Sequence, residues 1–218
     1  MANNFKNAVK RNISADSTLP TTIYSTPDSK KSIAIEIDVA NKSTAGVVVT
    51  VQLEDESANL AGTTAQQVST VATDTTGNLT TAAVHGLVLN DRIIFTNGTD
   101  PSFTNASLPP SADAALSETR MYYIQKIQST TIIRIAETRN ASSALTFDTN
   151  GASVVFTKIH IADIIKDAPV PVGGTLKVIS GQKLVLESTA ANNNDKIYAY
   201  CSSANNVDCI ASVLEDVS

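Results

Sequence analysis

Two histidines, two cysteines and one run of three carboxylates are the residues of this 218-residue chain best suited to chemistry. His85 stands in "VHGLVLNDRIIF", residues 84–95, with Asp91 downstream. An imidazole oriented by a carboxylate is a general-base pair, provided that both partners and a substrate lie within roughly 2.6–3.2 Å of one another. The neighbouring residues point elsewhere. Asn90 and Asp91 sit where the chain must turn into the strand "RIIFT", and short polar side chains suit that task because they bond to nearby backbone. His85-Gly86 likewise fits a turn, and no "GxSxG" accompanies it. His160, in "FTKIHIAD", shares strand parity with Phe156 and Lys158 and reads as a surface residue. Glu54, Asp55 and Glu56 offer the paired carboxylates of glycoside hydrolysis, but they fall at a strand end and read as solvated. No catalytic residue is assigned.

Cys201 and Cys209 allow two readings. If "SSANNV" is a hairpin turn centred near Asn205, the two face each other at roughly 4.5–5.5 Å between Cα atoms, within disulfide range. Otherwise they are small buried apolar residues. The opening "MANNFKNAVKRN" has no apolar stretch of the kind a secretory leader carries, which favours reduced, buried thiols. Two cysteines without nearby histidines do not make a zinc site. "PVGGTLK" lacks the phosphate-loop pattern, and "DTNG", residues 148–151, lacks calcium-loop spacing. "ANNNDK", residues 191–196, reads as a loop. Asn12, Asn97, Asn105 and Asn140 head glycosylation-type triplets, which reflect composition. No cofactor and no metal are expected.

Composition narrows the partners. Net charge is −5 and the pI is about 5.0, whereas a nucleic-acid groove needs a basic stripe. The basic clusters, Lys6, Lys10 and Arg11, then Lys30 and Lys31, read as solvated edges. No apolar run approaches the roughly 20 residues of a spanning helix, so neither nucleic acid nor membrane is expected. Hydrophobic residues make up 42% of the chain and charged residues 17%, with no Trp. That supplies a core and favours sheets over long amphipathic helices.

Period-2 alternation dominates. In "SIAIEIDV", residues 32–39, Ile33, Ile35, Ile37 and Val39 face one way. In "VVVTVQLE", residues 47–54, so do Val47, Val49, Val51 and Leu53, and "NKSTAG" between them predicts a hairpin. "GGTLKVI", "QKLVLES", "DKIYAYC" and "VDCIASVLE" continue as short strands. Pro169 and Pro171 belong on an edge or in a loop. From about Gly62 to Phe156 the texture changes. Short strands "RIIFT", "MYYIQKI", "TIIRIAE" and "SVVFTKIHI" surround a long polar excursion over residues 96–119, where "SADAALSE" could add one helical turn. The expected fold is all-β: an antiparallel β-sandwich from residues 1–62 and 157–218, with a small β-domain, residues 63–156, inserted between two of its strands.

Both parts resemble bacteriophage proteins. The flanks, through "MANNFKNAVKRNI", "TTIYSTP", "VANKSTAGVVVTVQLED", "HIADIIKDAPVPVGGTLKVISGQKLVLES" and "VDCIASVLEDVS", resemble a family of small virion-associated proteins from phages, many marine or cyanobacterial. In short members of that family the hairpin strand leads almost directly into the "KDAPVP" segment. The middle, through "VHGLVLNDRIIFTNG", "YYIQKIQSTTIIRIAET" and "ALTFDTNGASVVF", is similar to small β-modules of phage structural proteins. The resemblance implies a virion component assembled in the host cytoplasm and packed against other virion proteins of capsid, portal, neck or tail.

The expected function is therefore that of an accessory structural subunit on the capsid or head–tail neck. It would act by protein–protein packing as a homo-oligomer, with an N-terminal arm (Lys6, Lys10 and Arg11) as a clamp on acidic neighbours. The alternative is a tail-associated or glycan-binding adhesin module that stacks sugars on Phe103, Tyr122 and Tyr123. Tyr122 and Tyr123 point to opposite faces of a strand, which favours a core position for at least one.

Overall fold

The computed structural model describes residues 4–56, 66–70, 76–96, 120–146, 151–191 and 193–217. Among them the protein is all-β, with sixteen strands in antiparallel sheets and no α-helix. "SADAALSE" and Phe103 lie outside the described residues, as does most of "DTNG". The chain forms two compact units, residues 1–59 with 160–218, and residues 60–159.

The first unit is a sandwich. One sheet runs in the order β1 (Asn4–Lys10), β16 (Val207–Glu215), β3 (Lys31–Asn41), β13 (Leu184–Ala190) and β14 (Asn193–Asn194), with β12 (Thr175–Ile179) also paired to β3. The other runs β11 (Ile161–Val170), β4 (Val47–Glu54), β15 (Lys196–Cys201) and β2 (Thr21–Ser25). Both sheets supply a single apolar core. Ile37, Val39 and Val213 come from one, and Val49, Val51 and Ile197 from the other. This alternation of buried apolar and outward residues is what a half-buried antiparallel sheet requires.

The alternation of β4 holds, since Val47, Val49 and Val51 are core and Leu53 packs against it. That of β3 does not hold throughout. Ala34 pairs with Val213 and Glu36 with Ser212, so Ile35 is an extra residue opposite a register shift. Such a bulge moves the following side chains to the other face. Ser32 and Ala34 are therefore buried before it, and Ile37, Val39 and Asn41 after it, while Ile33 and Ile35 are only half-buried.

The expected hairpin between β3 and β4 is not formed, because the two strands lie in different sheets. The "NKSTAG" segment carries the chain across the core. Asn41 makes the crossover. Its Nδ2 donates to the carbonyls of Ala45 (2.8 Å), Val170 (3.1 Å) and Pro171 (3.1 Å), and its Oδ1 accepts from the Ser43 amide and hydroxyl. "SSANNV" is likewise a crossover, from β15 in one sheet to β16 in the other, with Asn205 at φ 64°. Pro169 falls in the edge strand β11, where its missing N–H costs no ladder bond between strands. Residues 4–10, expected as part of an arm, are a strand of the sheet, in register with β16 from Asn4↔Glu215 to Lys10↔Cys209.

The second unit is a closed barrel in the order β10 (Gly151–Ile159), β5 (Gln66–Thr70), β6 (Leu79–Thr81), β9 (Ile132–Ala136), β8 (Met121–Ile127) and β7 (Arg92–Thr96), with β7 returning to β10. Closure leaves no sheet edge. Its interior is filled by Leu79, Ile93, Phe95, Tyr122, Ile124 and Ile133, among others. Phe95 and Tyr122 pack with tilted rings 5.5 Å apart. Gly77, at φ 75°, lies so close to the Leu145 carbonyl that a side chain there would collide with it.

Candidate functional site

The loop that enters β7 carries the strongest candidate from the sequence. His85 is buried at 5% exposure. Its Nδ1 accepts the Leu87 amide at 3.0 Å, so this nitrogen carries no proton. Its Nε2 faces the Ser129 carbonyl at 2.9 Å and must be the N–H donor. The backbone repeats the link, with the His85 amide on the Thr130 carbonyl. A neutral ring with both nitrogens committed to backbone ties this loop to the β8–β9 turn.

Asp91 serves a separate turn. Its amide bonds to the Val88 carbonyl, its Oδ2 accepts the Val88 amide at 2.8 Å and pairs with Lys158 at 2.8 Å, and Asn90 occupies the left-handed region at φ 66°. The structure thus gives His85 and Asp91 different partners. His160 is an exposed residue between β10 and β11, and its carbonyl accepts the Asp55 amide.

The carboxylates at the end of β4 differ from their expected solvated state. Glu54 is only 5% exposed, because it lies opposite Lys196 across the β4–β15 ladder. Its Oε2 accepts the Tyr198 hydroxyl at 2.7 Å and the Lys196 ammonium at 3.2 Å. The next row on this face pairs Gln52 with Tyr198, and Gln52 donates to Asp163 at 2.6 Å. Asp195, in the segment "ANNNDK" expected as a loop, is buried and anchors two segments. One oxygen accepts the Glu56 amide at 2.9 Å, the other the Glu187 amide at 2.8 Å. Burial raises its carboxyl above the ordinary range. Burial also raises Glu56, with the Glu54 charge adding to the effect. These acids are tied into the ends of strands, and their bonds run to backbone and to neighbouring side chains.

Both cysteines are free and buried in the sandwich core. The Cys201 thiol points at the Ser203 carbonyl, 3.1 Å away. Burial pushes the Cys209 thiol up to about 12. Tyr122 and Tyr123 are both buried. Tyr122 fills the barrel, and Tyr123 lies under the Arg92 guanidinium, whose carbon is 4.7 Å from the ring centre. Neither ring offers a face for sugar stacking. No group of three or more potential metal ligands occurs among the described residues. No described helix is long and apolar enough to cross a membrane.

Exposed apolar side chains were missed by pattern reading. Val84, Val88 and Leu89 stand out on the loop that His85 holds down. On the sandwich, Phe5, Val9, Val185 and Ile210 are exposed. Position within an alternating strand distinguishes two faces, but does not say which of two apolar faces is covered.

No family model matches the chain, and neither curated proteins nor solved structures give a match.

Proposed function

We propose that this protein is a bacteriophage structural virion protein, an accessory subunit of the capsid or head–tail neck that acts through protein–protein packing. The observation that carries the reading is the use made of its polar groups. His85, Asp195 and Asn41 hold backbone segments together, while large apolar side chains are left exposed on both units. Exposed apolar residues of this kind suit contact with neighbouring subunits. The ordered resemblance of the flanking segments to small virion-associated phage proteins supports the same reading. Virion positions repeat by symmetry, so the subunit acts as a homo-oligomer.

The test is mass spectrometry and cryo-EM of purified particles from the phage that encodes the chain. The protein is expected in particles in a fixed stoichiometry, with density for the sandwich on the head or neck. Particles without it would overturn the proposal.

A further inference from the structure

The edges of the two sandwich sheets are treated differently. β11 is a long edge strand with two register shifts against β4. It also carries Pro169 and a left-handed Asp167 at φ 49°. Bulges, proline and charge are the devices by which sheets discourage pairing with another chain. β2 and β12 span five residues each and β14 only two. β1 is the exception. Its seven residues run in unbroken register with β16, without proline or left-handed backbone. Its other edge is hydrogen-bonded to no strand among the described residues. Phe5 is 60% exposed and Val9 52%. β1 does carry charge, Lys6 and Lys10, but both fall on the face opposite Phe5 and Val9, and a regular open edge with an apolar outer face is a template for a further strand.

The sequence of β1 selects the strand that fits. We infer that β1 pairs antiparallel with β1 of a second copy of this chain, about a two-fold axis through Asn7. That register uses the whole strand. It sets Phe5 opposite Val9 of the second copy, on the outer face, twice. It sets Lys6 opposite Ala8 and Lys10 opposite Asn4, so no like charges face directly. Asn4 is itself the ladder partner of Glu215. Lys10 of the second copy therefore lies two strand spacings from Glu215, roughly 9–10 Å between backbones, on the same face. This is within reach of the two long side chains. Lys6 already holds Glu215 from its own strand at 3.2 Å, so each end of the joint carries two ammonium groups around one carboxylate. Because all opposed positions share a face, both sandwiches stay on the same side of one continuous sheet. The pairing gives the homo-oligomer proposed above a specific surface, but it rests on β1 alone and stands or falls separately from the virion role.

The experiment uses the full chain. Opposed residues at the two-fold axis lie close enough for a disulfide, and the native cysteines are buried. Asn7→Cys is expected to give a disulfide-linked dimer on mild oxidation, mapped to that position. Thr189→Cys, exposed on β13, is the control and is expected to give none. In sedimentation, the wild type is expected to be a dimer. Phe5→Lys with Val9→Lys is expected to weaken it about tenfold or more with an unchanged circular-dichroism spectrum. A monomeric wild type overturns the pairing. So does a dimer that neither crosslinks at Asn7→Cys nor responds to the double substitution, or a β1 edge occupied in particles by a strand of another virion protein. A dimer in solution that is absent from particles would overturn the virion role and leave the pairing intact.

Discussion

The imidazole Nε2 of His85 and the carbonyl oxygen of Ser129 are 2.9 Å apart, and the opposite ring nitrogen takes the Leu87 amide. Two segments distant in sequence are joined by one neutral ring. His85→Ala would leave the buried Leu87 amide unpaired, at a cost of about 1–3 kcal/mol, whereas the Ser129 carbonyl, on an exposed residue, can turn to water. The expected outcome is a loss of about 1–3 kcal/mol in barrel stability by chemical denaturation, with accelerated amide exchange at Leu87. A loss under about 0.5 kcal/mol, the usual range for surface changes, would show that the ring is not the tie.

A second relationship sets Tyr198 against Glu54. The hydroxyl donates to a carboxylate that is almost wholly buried. Hydrogen bonds to charged groups contribute about 1.5–3 kcal/mol. Tyr198→Phe is expected to lower stability by that amount, read from the urea midpoint at constant slope. Lys196 reaches the same oxygen at the longer distance of 3.2 Å and from a partly exposed position, where water can screen the carboxylate once the ammonium is gone. Lys196→Met is therefore expected to cost less than Tyr198→Phe. The reverse order would mean that the ammonium, not the hydroxyl, is what neutralises Glu54.

The strands themselves were legible because alternation is imposed by the backbone: Val47, Val49 and Val51 face the core as their spacing requires. Their partners were not. "NKSTAG" and "SSANNV" have the polar, small-residue content of hairpin turns, yet both cross between sheets. Turn composition reports that the chain reverses, not which sheet receives it. Asn41 decides the first case through carbonyls of Val170 and Pro171, far away in sequence. The bulge at Ile35 was equally hidden, since an apolar residue on either side of it satisfies the pattern. Glu54 looked solvated because its cover, Tyr198, lies on another strand. The neighbours of His85 point to a loop position before β7, but Ser129, its partner, cannot be named without the fold.

Cys209 makes alkaline stability testable. Its thiol is pushed from the usual 9.0 to about 12 by burial, with the Asp38 charge adding to it. The folded state thus keeps a proton that the unfolded state has released. The stability from this group is fully present below the usual thiol value and is lost as pH rises from about 9 towards 12. Tyr24 and Cys201, both raised by burial, act in the same direction. Cys209→Ala is expected to flatten the fall in stability above the usual thiol value by up to about 1.4 kcal/mol per pH unit. Urea midpoints taken across alkaline pH read this directly. An unchanged slope would mean that the thiol ionises freely in the fold.

The pairing of β4 with β11 bears on how the two units depend on each other. These strands are antiparallel neighbours with Glu54 opposite Ile161, and the Asp55 amide bonds to the His160 carbonyl at 3.1 Å. The intervening residues therefore leave and re-enter the sandwich at one point, as the loop of a hairpin does. Replacing residues 56–159 by Asn-Gly supplies a two-residue turn that matches strand twist. It also keeps an amide at the position from which Glu56 reaches Asp195. The shortened chain is expected to fold, with a strand-rich circular-dichroism spectrum, one cooperative urea transition and dispersed amide resonances. It should also keep Cys201 and Cys209 unreactive until that transition, since both belong to the sandwich core. A shortened chain with exposed thiols and no transition would show that the sandwich needs residues 56–159 to fold, and that the two units are a single cooperative structure.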